Sequence, residues 1–126
     1  MEKIIFDTNF ILTCVKEKID FISELEGYQL LLPEQVIKEI EKISVDRKKR
    51  IAERELAKLS LAIIEHNKSK FRIIELEKKF VDAGLLRVKE PGELIIATLD
   101  RQLKSMLKGK FKTLIITKRK KLEIVG

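Results

Sequence analysis

The chain has 126 residues, 44% of them hydrophobic, which suits one ordinary domain and excludes both a disordered polymer and two independent cores. One cysteine, Cys14, and one histidine, His66, exclude an intramolecular disulfide framework and a zinc ligand set. The formal charge of +7 is unevenly placed: residues 1–100 carry 18 Lys and Arg against 19 Asp and Glu, whereas residues 101–126 carry nine against one, Glu123.

In chain order, Lys3-Ile4-Ile5-Phe6 is a short β-rich run that stops at Asp7, and Phe10 to Val15 reads as the helix after it. Ile19, Phe21, Ile22 and Leu25 predict a short amphipathic helix closed by Gly27. Tyr28 to Leu32 is a buried-strand candidate, and Pro33 suits the first turn of a helix running to about Ser44, where its missing N–H is not needed. A long charged helix is expected from about Asp46 to His66, with an apolar stripe at Ala52, Leu56, Leu59 and Ile63. Phe71 to Leu76 has strand composition. Val81 to Val88 predicts a short helix, weakened by Gly84 and stopped by Pro91-Gly92. Leu94 to Thr98 reads as a buried strand, Arg101 to Lys108 as a helix, Lys112 to Thr117 as the last main strand and Leu122 to Val125 as a small edge strand. Strands alternating with helices predict one α/β domain over residues 1–126, a parallel twisted sheet with helices on both faces. The longest apolar runs are far too short to cross a bilayer, and Glu2, Lys3 and Asp7 break any signal-peptide pattern, so a cytoplasmic protein is expected.

In an open α/β sheet, sites form where strands give way to helices at their carboxyl ends. Asp7 directly follows the first strand, Asp82 opens the helix after the Phe71 strand, and Asp100 follows the Leu94 strand by two residues. Each also suits an N-cap, worth about 1 kcal/mol, but capping does not explain why all three fall on one edge. Glu39 is the charge nearest the apolar stripe Val36, Ile40 and Ile43, so its helix is expected to turn it toward the protein; an outward bend to solvent is the alternative. Four carboxylates in one crevice repel one another, and a divalent cation removes that cost. Mg²⁺ and Mn²⁺ favour such hard oxygen ligands and can activate water for phosphodiester displacement.

Asp7-Thr8-Asn9 after an opening strand, the run from Leu32 to Ile40 containing Glu39, Val81-Asp82-Ala83 and the stretch from Ala97 to Leu103 together resemble the PIN domain, in its order and over almost the whole chain. The resemblance implies endonucleolytic cleavage of RNA with Mg²⁺ or Mn²⁺. It makes Asp7, Glu39, Asp82 and Asp100 catalytic metal ligands or orienters of metal-bound water, and Thr8, Asn9 and Thr98 supporting polar groups. The Asp100-Arg101-Gln102-Leu103-Lys104 stretch looks closest to ribosomal-RNA processing nucleases, although the zinc-binding appendage some of these carry is missing. Toxins of the VapC type share the same core, and a homodimer is implied by resemblance only. Three roles stay open: a nuclease maturing a ribosomal precursor, a toxin ribonuclease held by an antitoxin, and a non-catalytic RNA-binding or assembly module.

The basic carboxyl-terminal segment is the footprint expected for a polyanion partner, and a solvated tail has the same composition. Arg101, Lys104, Lys118, Arg119, Lys120 and Lys121 are its candidate RNA contacts. With sparse aromatics and no Trp, backbone and shape recognition is expected rather than extensive base stacking.

Overall fold

The computed structural model describes residues 2–75 and 94–126. Strand β1 (Lys3–Phe6) sends successive side chains to opposite faces of the sheet, as the two-residue period requires. Ile4 and Phe6 enter one core and Ile5 enters the other, and all three are buried. Such burial on both faces explains the unbroken apolar composition of the central strands.

Helix α1 (Thr8–Lys16) follows, then α2 (Phe21–Glu24), β2 (Gln29–Pro33), α3 (Glu34–Val45), α4 (Ile51–His66), a 3₁₀ turn (Lys68–Lys70) and β3 (Phe71–Ile74). Beyond residue 93 come β4 (Leu94–Ala97), α5 (Arg101–Leu107), β5 (Lys112–Ile116) and β6 (Leu122–Val125). These strands form a six-stranded sheet in the order β3-β2-β1-β4-β5-β6, parallel except for the antiparallel edge pair β5–β6. The larger core joins residues of α1, α2, α3 and α4 to one face, while Leu103 and Leu107 of α5 pack with Ile5, Leu31, Leu94 and Ile96 on the other. The expected Val81–Val88 helix, with Asp82, lies outside the described residues.

Four phenylalanines from four elements fix the first core. Phe6 of β1 meets Phe10 of α1, Phe21 of α2 and Phe71 of β3 at ring-centroid distances of 5.9, 5.4 and 6.2 Å, in tilted or edge-on geometry. That geometry suits aromatic quadrupoles and adds to the area buried. It seats the start of α1 on the sheet directly after β1. Gly27 closes the α2 region with φ at +98°, a conformation that side chains with a Cβ rarely adopt. No described helix is long and apolar enough to cross a membrane.

Two local expectations are corrected. Asp46 does not open α4: its Oδ1 accepts the Lys48 N–H at 2.9 Å, and this turn holds residues 46–50 out of the helix until Ile51. The buried face of α4 is Ala57, Ser60 and Ile64, with Leu56 and Ile63 half-buried, whereas Ala52 and Leu59 are exposed. That face is the expected stripe moved on by one residue, about 100° around the helix. The small Ala57 and Ser60 let α4 lie against α1 and α3, and the buried Ser60 hydroxyl is satisfied by the Leu56 carbonyl at 2.8 Å.

Candidate active site

The register of the central strands brings two chain segments together. Phe6 pairs with Ala97, and the Asp7 N–H continues the ladder to the Ala97 carbonyl at 3.1 Å. The next residues on each side, Asp7 and Thr98, therefore emerge side by side at the carboxyl edge. Thr98 is wholly buried, and its hydroxyl donates to Oδ2 of Asp7 while accepting the Asp100 N–H at 3.1 Å. One hydroxyl thus joins both aspartates.

Both aspartates are also N-caps. Asp7 Oδ1 accepts the Phe10 N–H of α1 at 2.7 Å, and Asp100 Oδ1 accepts the N–H groups of Gln102 and Leu103 of α5 at 2.9 and 3.2 Å. Capping and site geometry are compatible here because each cap occupies one carboxylate oxygen. Asp7 turns its second oxygen to Thr98, while Oδ2 of Asp100 makes no hydrogen bond within the described residues.

Glu39 departs from the expected inward orientation. Residue 39 is exposed on α3, yet Thr8 Oγ1 donates to its Oε2 at 2.5 Å. The first residue of α1 thereby ties the second turn of α3 to the same edge. A glutamate is long enough to leave the apolar stripe and still reach this hydroxyl, which avoids the cost of burying a charge. Asn9 is exposed beside it.

Electrostatics registers the convergence. The Asp7 carboxyl is raised above the ordinary aspartate range, first by burial and then by the charges of Asp100 and Glu39; the hydrogen bonds from Thr98 and Phe10 oppose this. Among the described residues no three acidic, His or Cys side chains stand close enough to make a ready-made metal cage. The donor chemistry still fits Mg²⁺ or Mn²⁺, since Mg²⁺ keeps several waters and needs only one or two carboxylates. The nitrogen and sulfur ligands that zinc favours are not at this edge: His66 is exposed at the end of α4 and Cys14 is buried in the core.

Of the candidate RNA contacts, Arg101 is exposed and Lys104 half-buried on α5, while Lys118, Arg119, Lys120 and Lys121 form the turn between β5 and β6. Because β5 runs parallel to β4, this turn lies at the carboxyl edge too. The turn is closed by Thr117 N–H to the Lys121 carbonyl at 2.8 Å and Lys120 N–H to the Thr117 carbonyl at 2.9 Å. Lys120 is not a free cation: its Nζ is 2.8 Å from Oε2 of Glu17, the residue that ends α1. Sequence reading missed Glu17, since no local pattern couples it to the far end of the chain.

A parallel sheet with helices on both faces and acids gathered at its carboxyl edge is the frame of a PIN-type domain. A family model described as "PIN like domain" matches residues 4–121, and the chain belongs to that family. The chain is also similar to a protein named ribonuclease VapC4 of Methanocaldococcus jannaschii, with 26% identity over 133 residues, covering 100% of this chain and 98% of the relative.

Proposed function

We propose that the protein is a divalent-metal-dependent endoribonuclease of the toxin class, hydrolysing RNA phosphodiester bonds and held in check by a protein antitoxin. The observation that carries the enzymatic reading is the Thr98 hydroxyl joined to both Asp7 and Asp100, with Glu39 tethered to the adjoining Thr8. A module that only bound RNA would gain nothing from acids aimed at a polyanion. The toxin reading is favoured over ribosomal-RNA processing by the near full-length similarity to a relative named ribonuclease VapC4.

Asp7, Asp100 and Glu39 would hold Mg²⁺ or Mn²⁺, with Asp82 expected to join them. When bound, such an ion supplies an activated water and charge stabilisation at the phosphoryl oxygens. The chain's own groups prepare this. Thr98 fixes the second oxygen of Asp7, and the α1 and α5 caps fix the other oxygen of Asp7 and one of Asp100. Thr8 holds Glu39 on the same side, so the carboxylates are oriented before substrate arrives. The amino end of α1 adds a positive dipole end facing the developing anionic charge.

The test is cleavage of single-stranded RNA by purified protein in Mn²⁺ or Mg²⁺ with a chelator control. Asp7→Asn and Asp100→Asn should each fold and lose cleavage. Cutting that survives EDTA, or survives both substitutions, would overturn the proposed chemistry.

A further inference from the structure

Helix α1 connects the acids to the basic turn. Asp7 caps one end and Glu17 the other, ten residues apart, a span of about 15 Å at 1.5 Å per residue. Its solvent face is polar. At 100° per residue, Asn9, Thr13 and Lys16 fall within about 60° of one another, opposite the buried Phe10, Ile11, Cys14 and Val15. Asn9 and Lys16 are exposed and Thr13 half-buried, so the face offers a hydroxyl, an amide and a cation to solvent.

At the far end of α1, where Lys120 meets Glu17, the neighbouring Lys118, Arg119 and Lys121 of the turn are exposed, and none of them forms an ion pair among the described residues. The fourth cation, Lys120, takes the left-handed conformation at φ 60° and reaches back to Glu17. An acid beside a basic turn lowers its attraction for RNA, so the pair makes sense if placement of the turn matters more than one unit of charge.

We propose that an RNA strand runs along the Asn9-Thr13-Lys16 face of α1, from the carboxylate crevice to the basic turn, and that the Glu17–Lys120 pair is the strap that positions the turn. This rests on the ribonuclease reading and adds a path and a positioning residue to it. The strand's phosphates meet Lys16 and then Lys118, Arg119 and Lys121. The turn stands about 15 Å from the crevice along α1, so it engages phosphates only a few nucleotides from the cut.

The proposal predicts the opposite sign from simple charge counting. Glu17→Gln removes a negative charge beside the turn, which by Coulombic attraction alone tightens RNA binding. The strap predicts several-fold weaker binding instead, because the freed turn samples many placements. Binding of a labelled 12-nucleotide single-stranded RNA is measured in EDTA, so that no strand is cut, at several salt concentrations, with thermal melts to verify folding. Glu17→Gln should weaken binding, and the swap E17K/K120E, which keeps the net charge and restores the pair, should recover it. Lys16→Ala should flatten the log–log salt dependence by about 0.7, the value for one lost single-strand phosphate contact. Unchanged or tighter binding by Glu17→Gln overturns the strap, and an unchanged slope for Lys16→Ala overturns the path along α1. Cleavage by the parent in Mn²⁺ is run alongside. A parent that cuts RNA while Glu17→Gln binds normally refutes only the strap, whereas one that neither binds nor cuts refutes the ribonuclease reading and the path together.

Discussion

Thr98 donates its hydroxyl proton to Asp7 across 91 residues of chain, and the same oxygen accepts the Asp100 N–H. The side chain is wholly buried, so its hydroxyl depends on these two partners rather than on bulk water.

Thr98→Val keeps the shape and removes both bonds. The Asp7 oxygen and the Asp100 N–H lose a partner, which should cost about 1–3 kcal/mol of folding stability. Groups that orient metal ligands typically carry a factor of about 10–100 in metal affinity or activity, and Thr98→Val should lose that much in Mn²⁺ affinity. Thr98→Ser should recover most of both. Denaturant melts and Mn²⁺ titrations are the measurements, and parental affinity in Thr98→Val would reduce Thr98 to a strand residue.

Asp7 sets a pH signature in the metal-free protein. Its folded-state pKa lies above the unfolded value, so the folded state holds the proton more tightly. The Asp7 contribution is therefore most favourable below about pH 4, the unfolded range, and is lost as pH rises through the folded pKa. Asp7→Asn lacks this loss. Its stability in EDTA should exceed that of the parent at neutral pH, and the gap should close on acidification. Chemical denaturation from pH 3 to 7 reads the difference directly; a gap that widens toward acid contradicts the assignment.

Metal should stabilise the folded parent by mass action, about 2.7 kcal/mol at a hundredfold excess over the dissociation constant. Asp100→Asn keeps the cap on α5, because Asn caps nearly as well as Asp, but removes a charged ligand. Its melting temperature in EDTA should match or exceed that of the parent, and its response to millimolar Mn²⁺ should be much smaller. Equal responses in the two proteins would remove Asp100 from the metal site.

Cys14 provides a control on the core. The thiol is fully buried against the first core, and burial followed by the charge of Glu24 pushes its pKa up to about 12. The reactive species is the thiolate, so a disulfide reagent should leave the native protein unmodified at neutral pH and label it only as it unfolds. Rapid labelling of the native protein would show that the α1 face opens.

The order of elements and the positions of Asp7 and Asp100 were legible because both rest on local chemistry. Short apolar runs such as Lys3–Phe6 and Leu94–Ala97 are followed, directly or within three residues, by an aspartate that caps the next helix, and chain order alone puts such caps near strand ends. Periodicity also brought Glu39 to the edge of the α3 stripe, but its carboxylate is exposed and held by Thr8, a contact between two helices that neither periodicity contains. In α4 the apolar pattern selected Leu59, while tertiary packing selected Ala57 and Ser60, since close approach to α1 and α3 favours small side chains over hydrophobic ones. The link from Thr98 to both aspartates comes from the parallel pairing of Phe6 with Ala97, and the Glu17–Lys120 pair from the turn after β5 meeting the end of α1. Local sequence determined which residues could cap, bury or carry charge. Only the folded sheet decided which of them meet, because long-range pairing depends on strand register and helix placement rather than on any residue's neighbours.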